Sequence, residues 1–363
     1  FMKIAYFITG LGLGGAEIIT IDLAQKAIRA GHEVIIVYLT DIGTLASKIP
    51  SEIPVFPLHL QKNPLQFIRA VEKAKSIIKQ FRPDIVHSNM VHSNIFTRML
   101  RYHIKFPVLI CSEHSKNIGN SSRMLAYRLT DHLSDLNTNV SQEAVDVFIQ
   151  KKAFRKRDNL AVYNGIDLSR FVPDRSLGEN LRKELGVSSD DFVFFNAGRL
   201  TAAKDQDNLL RAFSQLPHGQ LWIAGEGELR DELTSTIAAL GIQERVKLLG
   251  ARSDMTRCYN AADCFVLSSA WEGFGIVLAE AMACGLPVIT TDAGGCAEVV
   301  QNDFFVVPIR NSDLLTSKMS YICNLPKPER QRISDKNRIL AHKFDLERIW
   351  NQWEQIYRSS LRS

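Results

Sequence analysis

The 363-residue sequence predicts an α/β protein with two doubly wound parallel sheets that face a central cleft. Short apolar runs alternate with helical patterns along most of the chain, which is typical of parallel strands covered by helices on both faces. Turn-forming residues interrupt this alternation near residues 164–174 and predict a linker. Two domains also fit the length, because single cores stop growing at roughly 250–300 residues. We place the first domain at 1–168 and the second at 169–344, with a C-terminal helix at about 345–363 that packs back onto the first.

The first half opens with a strand, a glycine-rich turn, a helix and a second strand, a Rossmann-like βαβ start. The strands are predicted at residues 3–8 and 33–39, with a helical pattern to about residue 30 between them. Gly10, Gly12 and Gly15 fit the G-x-G-x-x-G spacing, so a nicotinamide-dependent oxidoreductase is one alternative interpretation. Further strands are predicted at 55–60, 84–88, 108–111, 136–140 and 160–163, and helices at 65–81, 95–102 and 142–151.

The second half repeats the pattern and contains the most informative segment, residues 271–289. A glycine-rich loop there leads into an apolar helix that Gly285 ends, and Glu272 and Glu280 bracket the loop-to-helix turn. A buried helix rarely carries a glutamate without a partner, and a glycine-led helix start offers N–H groups to an anion. Other strands are predicted at 192–196, 221–224, 246–249, 264–267 and 305–308, and helices at 313–324, 327–342 and 346–359.

The net charge, the apolar runs and the cysteines of the sequence limit which binding partners and which cellular location fit the protein. The net charge of +5 suits anionic substrates or a membrane surface and gives no basis for nucleic-acid binding. No apolar run reaches the roughly 18 residues that span a membrane. The six cysteines are scattered without a C-x-x-C pair, which predicts reduced thiols. We expect a cytoplasmic location that permits peripheral contact with the inner face of a membrane.

Six short motifs occur in a characteristic order along nearly the whole chain. They are Gly14-Gly15-Ala16-Glu17, Ser112-Glu113-His114, Asn164-Gly165-Ile166-Asp167, Gly198-Arg199 with Lys204, Gly225-Glu226-Gly227, and Glu272-x7-Glu280. Each motif is loose alone, but together they resemble the retaining glycosyltransferases of family 4, which have the two-Rossmann-domain GT-B fold. The resemblance implies transfer of a sugar from a nucleotide sugar, with UDP-sugars favoured, to a glycan or polyprenyl-linked acceptor in bacterial-type polysaccharide or glycoconjugate synthesis. It implies no metal or other cofactor.

The donor site is expected mainly in the second domain. Arg199 and Lys204 lie on one strand-to-helix turn, so both cations can converge on the departing diphosphate of a metal-free site. The resemblance assigns Glu280 to the ribose hydroxyls and Glu272 to the donor sugar. The expected donor contacts are Gly14, Gly15, Arg199, Lys204, Glu226, Ala251, Arg252, Glu272, Phe274, Gly275, Ile276 and Glu280, and the expected catalytic residues are His114, Arg199, Lys204 and Glu272.

The acceptor is expected mainly on the first domain. His114 follows a strand at the position where the resembled family has a histidine beside the transferred sugar. Strand-end positions suggest His87 and His92, with Asn89 and Asn94, as acceptor contacts, with plain loop residues as the alternative. Glu17 is a further candidate acceptor contact. A His87/His92 metal site lacks a third ligand at suitable spacing. Asp205-Gln206-Asp207 starts a helix, where aspartate is expected as a cap rather than as a metal ligand.

Two basic segments are candidate contacts for anionic lipid: residues 151–157 with Phe154, and the Lys/Arg face of the helix at 65–81. The alternative for each is a solvated charged face. A non-catalytic sugar-nucleotide or glycan-binding protein is the remaining functional alternative, although Arg199, Lys204 and both glutamates are present. A nicotinamide enzyme would leave these four side chains without a role.

Overall fold

The computed structural model describes residues 1–10, 15–40, 43, 47–61, 63–116, 121–155 and 159–362. Gly14 and the basic residues Lys156 and Arg157 lie outside these ranges. The chain divides into two compact units. The first comprises Phe1–Gly165 with Glu347–Ser363, and the second comprises Ile166–Leu346. All six cysteines are free thiols. No helix in the described ranges is long and apolar enough to cross a membrane.

The first unit is built on a seven-stranded parallel sheet. Its order is β3-β2-β1-β4-β5-β6-β7, so the strand order reverses between β1 and β4. The central strands are almost wholly buried because helices cover both faces of the sheet. The strands are β1 (Lys3–Ile8), β2 (Glu33–Tyr38), β3 (Val55–Pro57), β4 (Ile85–Asn89), β5 (Val108–Glu113), β6 (Leu136–Asn139) and β7 (Asn159–Ala161).

The second unit has a six-stranded parallel sheet in the order β10-β9-β8-β11-β12-β13. Its order reverses between β8 and β11, which is where ligands bind in doubly wound sheets, outside the carboxyl ends of the strands. The strands are β8 (Val193–Ala197), β9 (Gln220–Ala224), β10 (Val246–Gly250), β11 (Cys264–Leu267), β12 (Val288–Thr291) and β13 (Val306–Val307).

Helices connect nearly all consecutive strands. Their ends follow from the sequence: Asn63 caps the second helix by accepting a 2.9 Å hydrogen bond from the Leu65 N–H, and Pro64 occupies its first turn. The described α-helices are α1 (Gly15–Arg29), α2 (Pro64–Phe81), α3 (Val91–Leu100), α4 (Ser121–Thr130), α5 (Gln142–Gln150), α6 (Arg175–Glu184), α7 (Gln206–Ser214), α8 (Arg230–Ala239), α9 (Met255–Ala261), α10 (Ile276–Ala283), α11 (Cys296–Val300), α12 (Ser312–Asn324), α13 (Lys327–Ala341) and α14 (Leu346–Ser360).

The C-terminal helix α14 packs on the sheet of the first unit. The Trp353 ring lies 4.5 Å from the His87 ring, centroid to centroid. The Tyr357 hydroxyl is 2.7 Å from Nδ1 of His87 and 3.2 Å from the Tyr6 hydroxyl. Buried polar groups need such partners, and here residues some 270 and 350 positions apart supply them. The last helix therefore completes the core of the first unit.

Several element bounds differ from the sequence prediction. The third strand ends at Pro57 rather than residue 60, and the third helix spans Val91–Leu100 rather than 95–102. Five helices, α4, α6, α8, α9 and α11, were not predicted. In α4, Leu125 and Leu129 are exposed, and α6 buries only Gly178 and Leu181.

Candidate active site

An ion pair lies at the reversal point of the second sheet. The Lys204 ammonium, on the turn after β8, pairs with the Glu272 carboxylate, on the loop after β11. The Ser269 hydroxyl donates to the same carboxylate at 2.6 Å. The exposed fractions of the Lys204 and Glu272 side chains are 23% and 9%, so the two charges are compensated yet the lysine remains accessible. This arrangement offers a fixed positive charge at the carboxyl edge of the sheet.

Backbone hydrogen bonds lock the two loops that carry this pair. The Ala203 carbonyl accepts from the N–H groups of Ala270 at 2.9 Å and Trp271 at 3.1 Å. The Ser268 hydroxyl donates to the Lys204 carbonyl at 3.0 Å. The position of the ammonium is therefore set by the main chain of both loops as well as by Glu272.

Glycines let the neighbouring turns approach each other. A Cβ on Gly198 would lie 3.2 Å from three methylene carbons of Lys204, so the lysine side chain runs directly over this residue. Gly225 has φ +148°, and a Cβ there would lie 1.9 Å from the Gly198 carbonyl oxygen. Beside them, Arg199 is exposed and forms no ion pair with any residue in the described ranges. Two cations thus share one turn, and only Lys204 is paired.

The loop that leads into α10 is held by a second glycine pair. Gly294 has φ +57°, and a Cβ on it would lie 2.0 Å from the Glu272 carbonyl oxygen. The next residue, Gly295, donates its N–H to the Gly273 carbonyl at 3.1 Å. Gly275, at φ +76°, immediately precedes the first turn of α10. The backbone from Glu272 to the helix start is therefore closely supported from the turn that follows β12.

Glu280 lies one turn further along α10 and is half-buried. It accepts a 2.7 Å hydrogen bond from the buried Tyr259 hydroxyl. Burial, followed by the nearby Glu280 charge, raises the pKa of Tyr259, so the phenol stays protonated and keeps donating. Phe274 has another role: its side chain is buried and packs edge-to-face on Phe344 at 5.3 Å. Only its backbone remains a candidate for ligand contact.

The remaining expected donor contacts lie at the ends of β9 and β10. Glu226 pairs with Arg230 at 3.1 Å, and its carboxylate lies beside Gly250, where a Cβ would be 3.0 Å away. Ala251 is exposed. Arg252 binds Asp254 through two hydrogen bonds of 2.8 and 2.6 Å, and this contact raises the pKa of the guanidinium. The Arg252 side chain is thus already engaged within its own turn.

In the first unit, His114 follows β5 at the carboxyl edge of the sheet. Its Nε2 donates to the Asn89 Oδ1 at 3.0 Å. Burial lowers the pKa of His114 to about 4, so the ring is neutral near pH 7. The preceding residue, Glu113, is buried, and burial raises the pKa of its carboxyl to about 7. Tyr127 donates to Glu113, and the Asn94 amide donates to it at 3.2 Å.

Two of the expected acceptor contacts lie in the interior. His87 is fully buried, with Nδ1 bonded to Tyr357 and Nε2 to the Ser112 hydroxyl, both at 2.7 Å. Burial lowers the pKa of His87 to about 3. Asn94 is also buried and uses its amide on Ser112, Glu113 and Tyr127. These two side chains hold helices against the sheet, and we leave both out of the proposed acceptor site.

The other first-unit candidates are more accessible. Gly15 begins α1 and is exposed, and no atom of the described residues lies within 4 Å of the position that a Cβ would occupy there. Glu17 lies in the first turn of α1 and is half-buried, and His92 is exposed on α3. Asp205, expected as a helix cap, occupies the position before α7 with φ +46°. In the described ranges, no three His, Cys, Asp or Glu side chains are grouped so as to hold a metal ion.

Sequence reasoning missed several residues that build these sites. Ser269 and Tyr259 hydrogen-bond the two glutamates. Asn89, predicted only as an acceptor-side residue, hydrogen-bonds His114. Their roles depend on side chains that meet across strands, which spacing along one strand does not reveal. Gly294 did leave a signal, because two consecutive glycines after a strand indicate a close backbone approach.

The fold and the paired charges at a sheet reversal point define a two-domain α/β enzyme of the GT-B type. Residues 13–170 match the Glycosyltransferase Family 4 profile, and residues 178–339 match the profile for glycosyl transferases group 1. The chain therefore belongs to this glycosyltransferase family. The predicted family, fold and enzyme class are confirmed.

Two relatives and one solved structure illustrate the match. The chain is 26% identical over 369 residues to the Campylobacter jejuni N-acetylgalactosamine-N,N'-diacetylbacillosaminyl-diphospho-undecaprenol 4-alpha-N-acetylgalactosaminyltransferase, covering 96% of this chain and 97% of that protein. It is 26% identical over 253 residues to the Escherichia coli UDP-Gal:alpha-D-GlcNAc-diphosphoundecaprenol alpha-1,3-galactosyltransferase, covering 65% of each chain. The structure of Anabaena Alr3699/HepE in complex with UDP superposes with a TM-score of 0.89 at 26% identity, covering 99% of this chain and 100% of that one.

Proposed function

We propose that the protein transfers a sugar from a UDP-sugar to a glycan or lipid-linked glycan, with retention of configuration at the anomeric carbon. The carrying observation is the Lys204–Glu272 pair beside Arg199 at the reversal point of the second sheet. The similarity to Anabaena HepE, whose structures contain UDP and UDP-glucose, favours uridine among the nucleotides. The named E. coli relative also uses a UDP-sugar.

In this proposal the second unit binds the donor through its fixed charges. Departure of the nucleotide leaves negative charge on the diphosphate, and Lys204 and Arg199 stabilise it. The backbone at Phe274–Ile276 adds N–H groups at the start of α10. Glu280 binds the ribose hydroxyls, while Glu226 and the turn at Ala251 and Arg252 lie toward the nucleoside.

Glu272 is proposed to act on the sugar. Its carboxylate orients donor hydroxyls, holds Lys204 in place and favours positive charge developing at the anomeric centre. The acceptor attacks on the face that the nucleotide leaves, and the departing phosphate takes the proton of the acceptor. Lys204 and Arg199 supply the positive charge that a metal ion provides in other sites, so we propose that no metal is required.

The first unit is proposed to contribute to the sugar and the acceptor. His114 is neutral, so it serves as a hydrogen-bonding partner of a sugar hydroxyl and not as a charged acid. Gly15 offers its backbone to the diphosphate, and Glu17 and His92 contact the acceptor. The C. jejuni and E. coli relatives act on undecaprenol-linked glycans, which supports a lipid-linked acceptor here.

A membrane contact accompanies such an acceptor, and α4 offers one surface for it. Leu125 and Leu129, one turn apart, are 52% and 65% exposed, which fits insertion into a bilayer interface. Arg128 between them donates to the Lys151 carbonyl at 2.6 Å, so the leucines adjoin the basic segment that begins there. The expectation for Phe154 was wrong: its ring is buried against Phe148 at 4.7 Å.

UDP binding to the Glu280→Ala protein tests the donor assignment. Loss of a charged acceptor of ribose hydroxyls weakens UDP affinity by about tenfold or more. Isothermal titration calorimetry measures this against Glu244→Ala, an exposed glutamate of the same unit, as the control. Equal affinity of wild type and Glu280→Ala would remove Glu280 from the ribose site. Thermal stabilisation by NAD(H) but not by UDP would instead support the oxidoreductase interpretation.

A further inference from the structure

Tyr259 is a buried residue whose hydroxyl reaches the proposed donor site of the second unit. It lies on α9 and is 0% exposed, and its hydroxyl donates to Oε2 of Glu280 at 2.7 Å. Glu280 lies on α10, the helix that follows β11, and is half-buried. An ionised carboxylate only accepts hydrogen bonds, so the phenol is the donor. The carboxylate that we assign to the ribose is therefore bonded to a group in the core.

The Tyr259 ring packs at the point where the strand order of the second sheet reverses. It lies edge-to-face on Phe195 of β8 and on Phe265 of β11, each at 5.6 Å between ring centroids. These two phenylalanines are direct register partners in the two strands that flank the reversal point. Aromatic pairs of this geometry add to the stabilisation that burial provides. The sheet therefore sets the position of the phenol.

The helix that carries Tyr259 is also fixed by α6 and by the segment before α6. A Cβ on Gly178 of α6 would lie 2.0 Å from the Asn260 carbonyl oxygen, so α6 and α9 are in close backbone contact. The Asn260 side chain accepts from the Asp174 N–H at 2.6 Å and donates to the Val172 carbonyl at 2.9 Å. Both the backbone and the ring of Tyr259 are thus held, and its hydroxyl has little freedom to move.

The Glu280 side chain has three rotatable bonds, in contrast to the fixed phenol. Ordering such a side chain when a ligand binds lowers the affinity, because rotamer freedom is lost. A donor that already holds the carboxylate removes this loss from the binding step. A bond that only satisfied the buried phenol would contribute to folding stability, but it would not affect which ligand is preferred.

We propose that Tyr259 is a positioning residue that holds the Glu280 carboxylate in the orientation that accepts from the ribose hydroxyls of the donor. The inference rests on the proposed function, because it takes Glu280 to be the ribose contact. Tyr259 acts through Glu280 and not on the nucleotide directly. Its hydroxyl thereby contributes to the preference for a ribonucleotide over a deoxyribonucleotide.

The test compares the affinities of UDP, 2′-deoxy-UDP and 3′-deoxy-UDP by isothermal titration calorimetry. Wild type should bind UDP about tenfold or more tightly than the analogue that lacks the hydroxyl bound by Glu280. Tyr259→Phe keeps the ring packed on Phe195 and Phe265 and removes only the donor. We expect it to bind UDP about three- to tenfold more weakly, with the affinity for that analogue within about twofold of wild type. The control is Tyr321→Phe, a 45% exposed tyrosine on α12, which should bind all three ligands like wild type.

The Glu280→Ala variant separates failure of this inference from failure of the proposed function. If Glu280→Ala loses the preference for UDP while Tyr259→Phe keeps it, the positioning role is overturned and the ribose assignment stands. Equal weakening of all three ligands in Tyr259→Phe would mean a purely structural role and would also overturn the inference. If wild type shows no preference, or Glu280→Ala keeps it, the ribose assignment itself fails and the role of Tyr259 fails with it.

The double variant Tyr259→Phe/Glu280→Ala checks that the tyrosine acts through the carboxylate. Its UDP affinity should equal that of Glu280→Ala alone, because the phenol has no carboxylate left to hold. A further loss of affinity in the double variant would show that Tyr259 acts on binding by another route, which would contradict the proposal.

Discussion

The candidate site residues at the carboxyl edges of the two sheets are held in place by different chemistry. In the second unit, the charged residues Lys204 and Glu272 compensate each other on loops that glycines and backbone hydrogen bonds hold in place. In the first unit, the neutral side chains of His114 and Asn89 are bonded to each other, and the preceding residue, Glu113, belongs to a buried network with Asn94. Fixed charge suits a departing diphosphate, whereas neutral groups suit hydroxyls. The comparison indicates that substitutions at the two edges will have different effects on turnover and stability.

The largest effect is expected from Lys204→Met, which removes the charge while retaining most of the length of the side chain. Turnover should fall by about 100-fold or more, in the range for loss of one group that stabilises developing negative charge. Release of UDP from the preferred UDP-sugar measures this. The control is Lys183→Met, an exposed lysine on α6. Wild-type turnover in Lys204→Met would place the lysine outside the diphosphate site and would end the contrast between the two edges.

Gly294→Ala tests whether the charged edge depends on close backbone packing. The added Cβ would lie 2.0 Å from the Glu272 carbonyl, so the loop must move, and we expect turnover to fall more than about tenfold with a stability loss of about 2–3 kcal/mol. Gly241→Ala is the matched control. Gly241 also has positive φ, at +66°, but no described residue lies within 4 Å of its Cβ position. It should lose only about 1 kcal/mol and keep its turnover.

If both glycine variants behave alike in turnover and in thermal unfolding, the backbone conformation alone would account for the effect. The approach of Gly294 to Glu272 would then have no bearing on activity. Chemical denaturation of both variants, with turnover measured well below their melting temperatures, separates the two causes.

The same contrast explains which parts of the site the sequence could predict. His114 directly follows β5, and Arg199, Lys204 and Glu272 lie on the turns that follow β8 and β11, so their positions after strands place them at the carboxyl edges of their sheets. The alternation of strands and helices likewise predicts two parallel sheets. The pairing of Lys204 with Glu272 could not be predicted, because it joins residues 68 positions apart through loop geometry. His87 was misjudged for a similar reason: the helix that covers it, α14, contributes a partner 270 residues away in sequence.

Local pattern also could not reveal helices that leave apolar side chains exposed, such as α4 with Leu125 and Leu129. Amphipathic periodicity predicts a helix from the face that it buries against the core. When exposed leucines lie outside that face, the periodic signal is lost, and only tertiary contacts define the helix.

The smallest effect is expected from Glu113→Gln, which probes the buried network of the neutral edge through its pH dependence. Burial raises the pKa of Glu113 to about 7 in the folded state, while the unfolded chain titrates near the ordinary value of 4.5. Between these pH values the Glu113 carboxyl holds its proton in the folded protein but loses it in the unfolded chain. The contribution of Glu113 to the free energy of unfolding therefore falls as the pH rises from about 4.5 to about 7. Glutamine does not ionise and avoids this loss. As the pH rises from about 5 to about 8, the free energy of unfolding of Glu113→Gln relative to wild type should increase by on the order of 1–2 kcal/mol, measured by urea unfolding at both pH values.

His114 and His87 contribute to the pH dependence of stability with the opposite sign, since their lowered pKa values make the folded state bind fewer protons below about pH 6.5. Both histidines are present in wild type and variant, so their contribution cancels in the difference. A difference that does not change with pH would mean that the Glu113 carboxyl ionises normally, and the neutral character of the first edge would then have to rest on His114 and Asn89 alone.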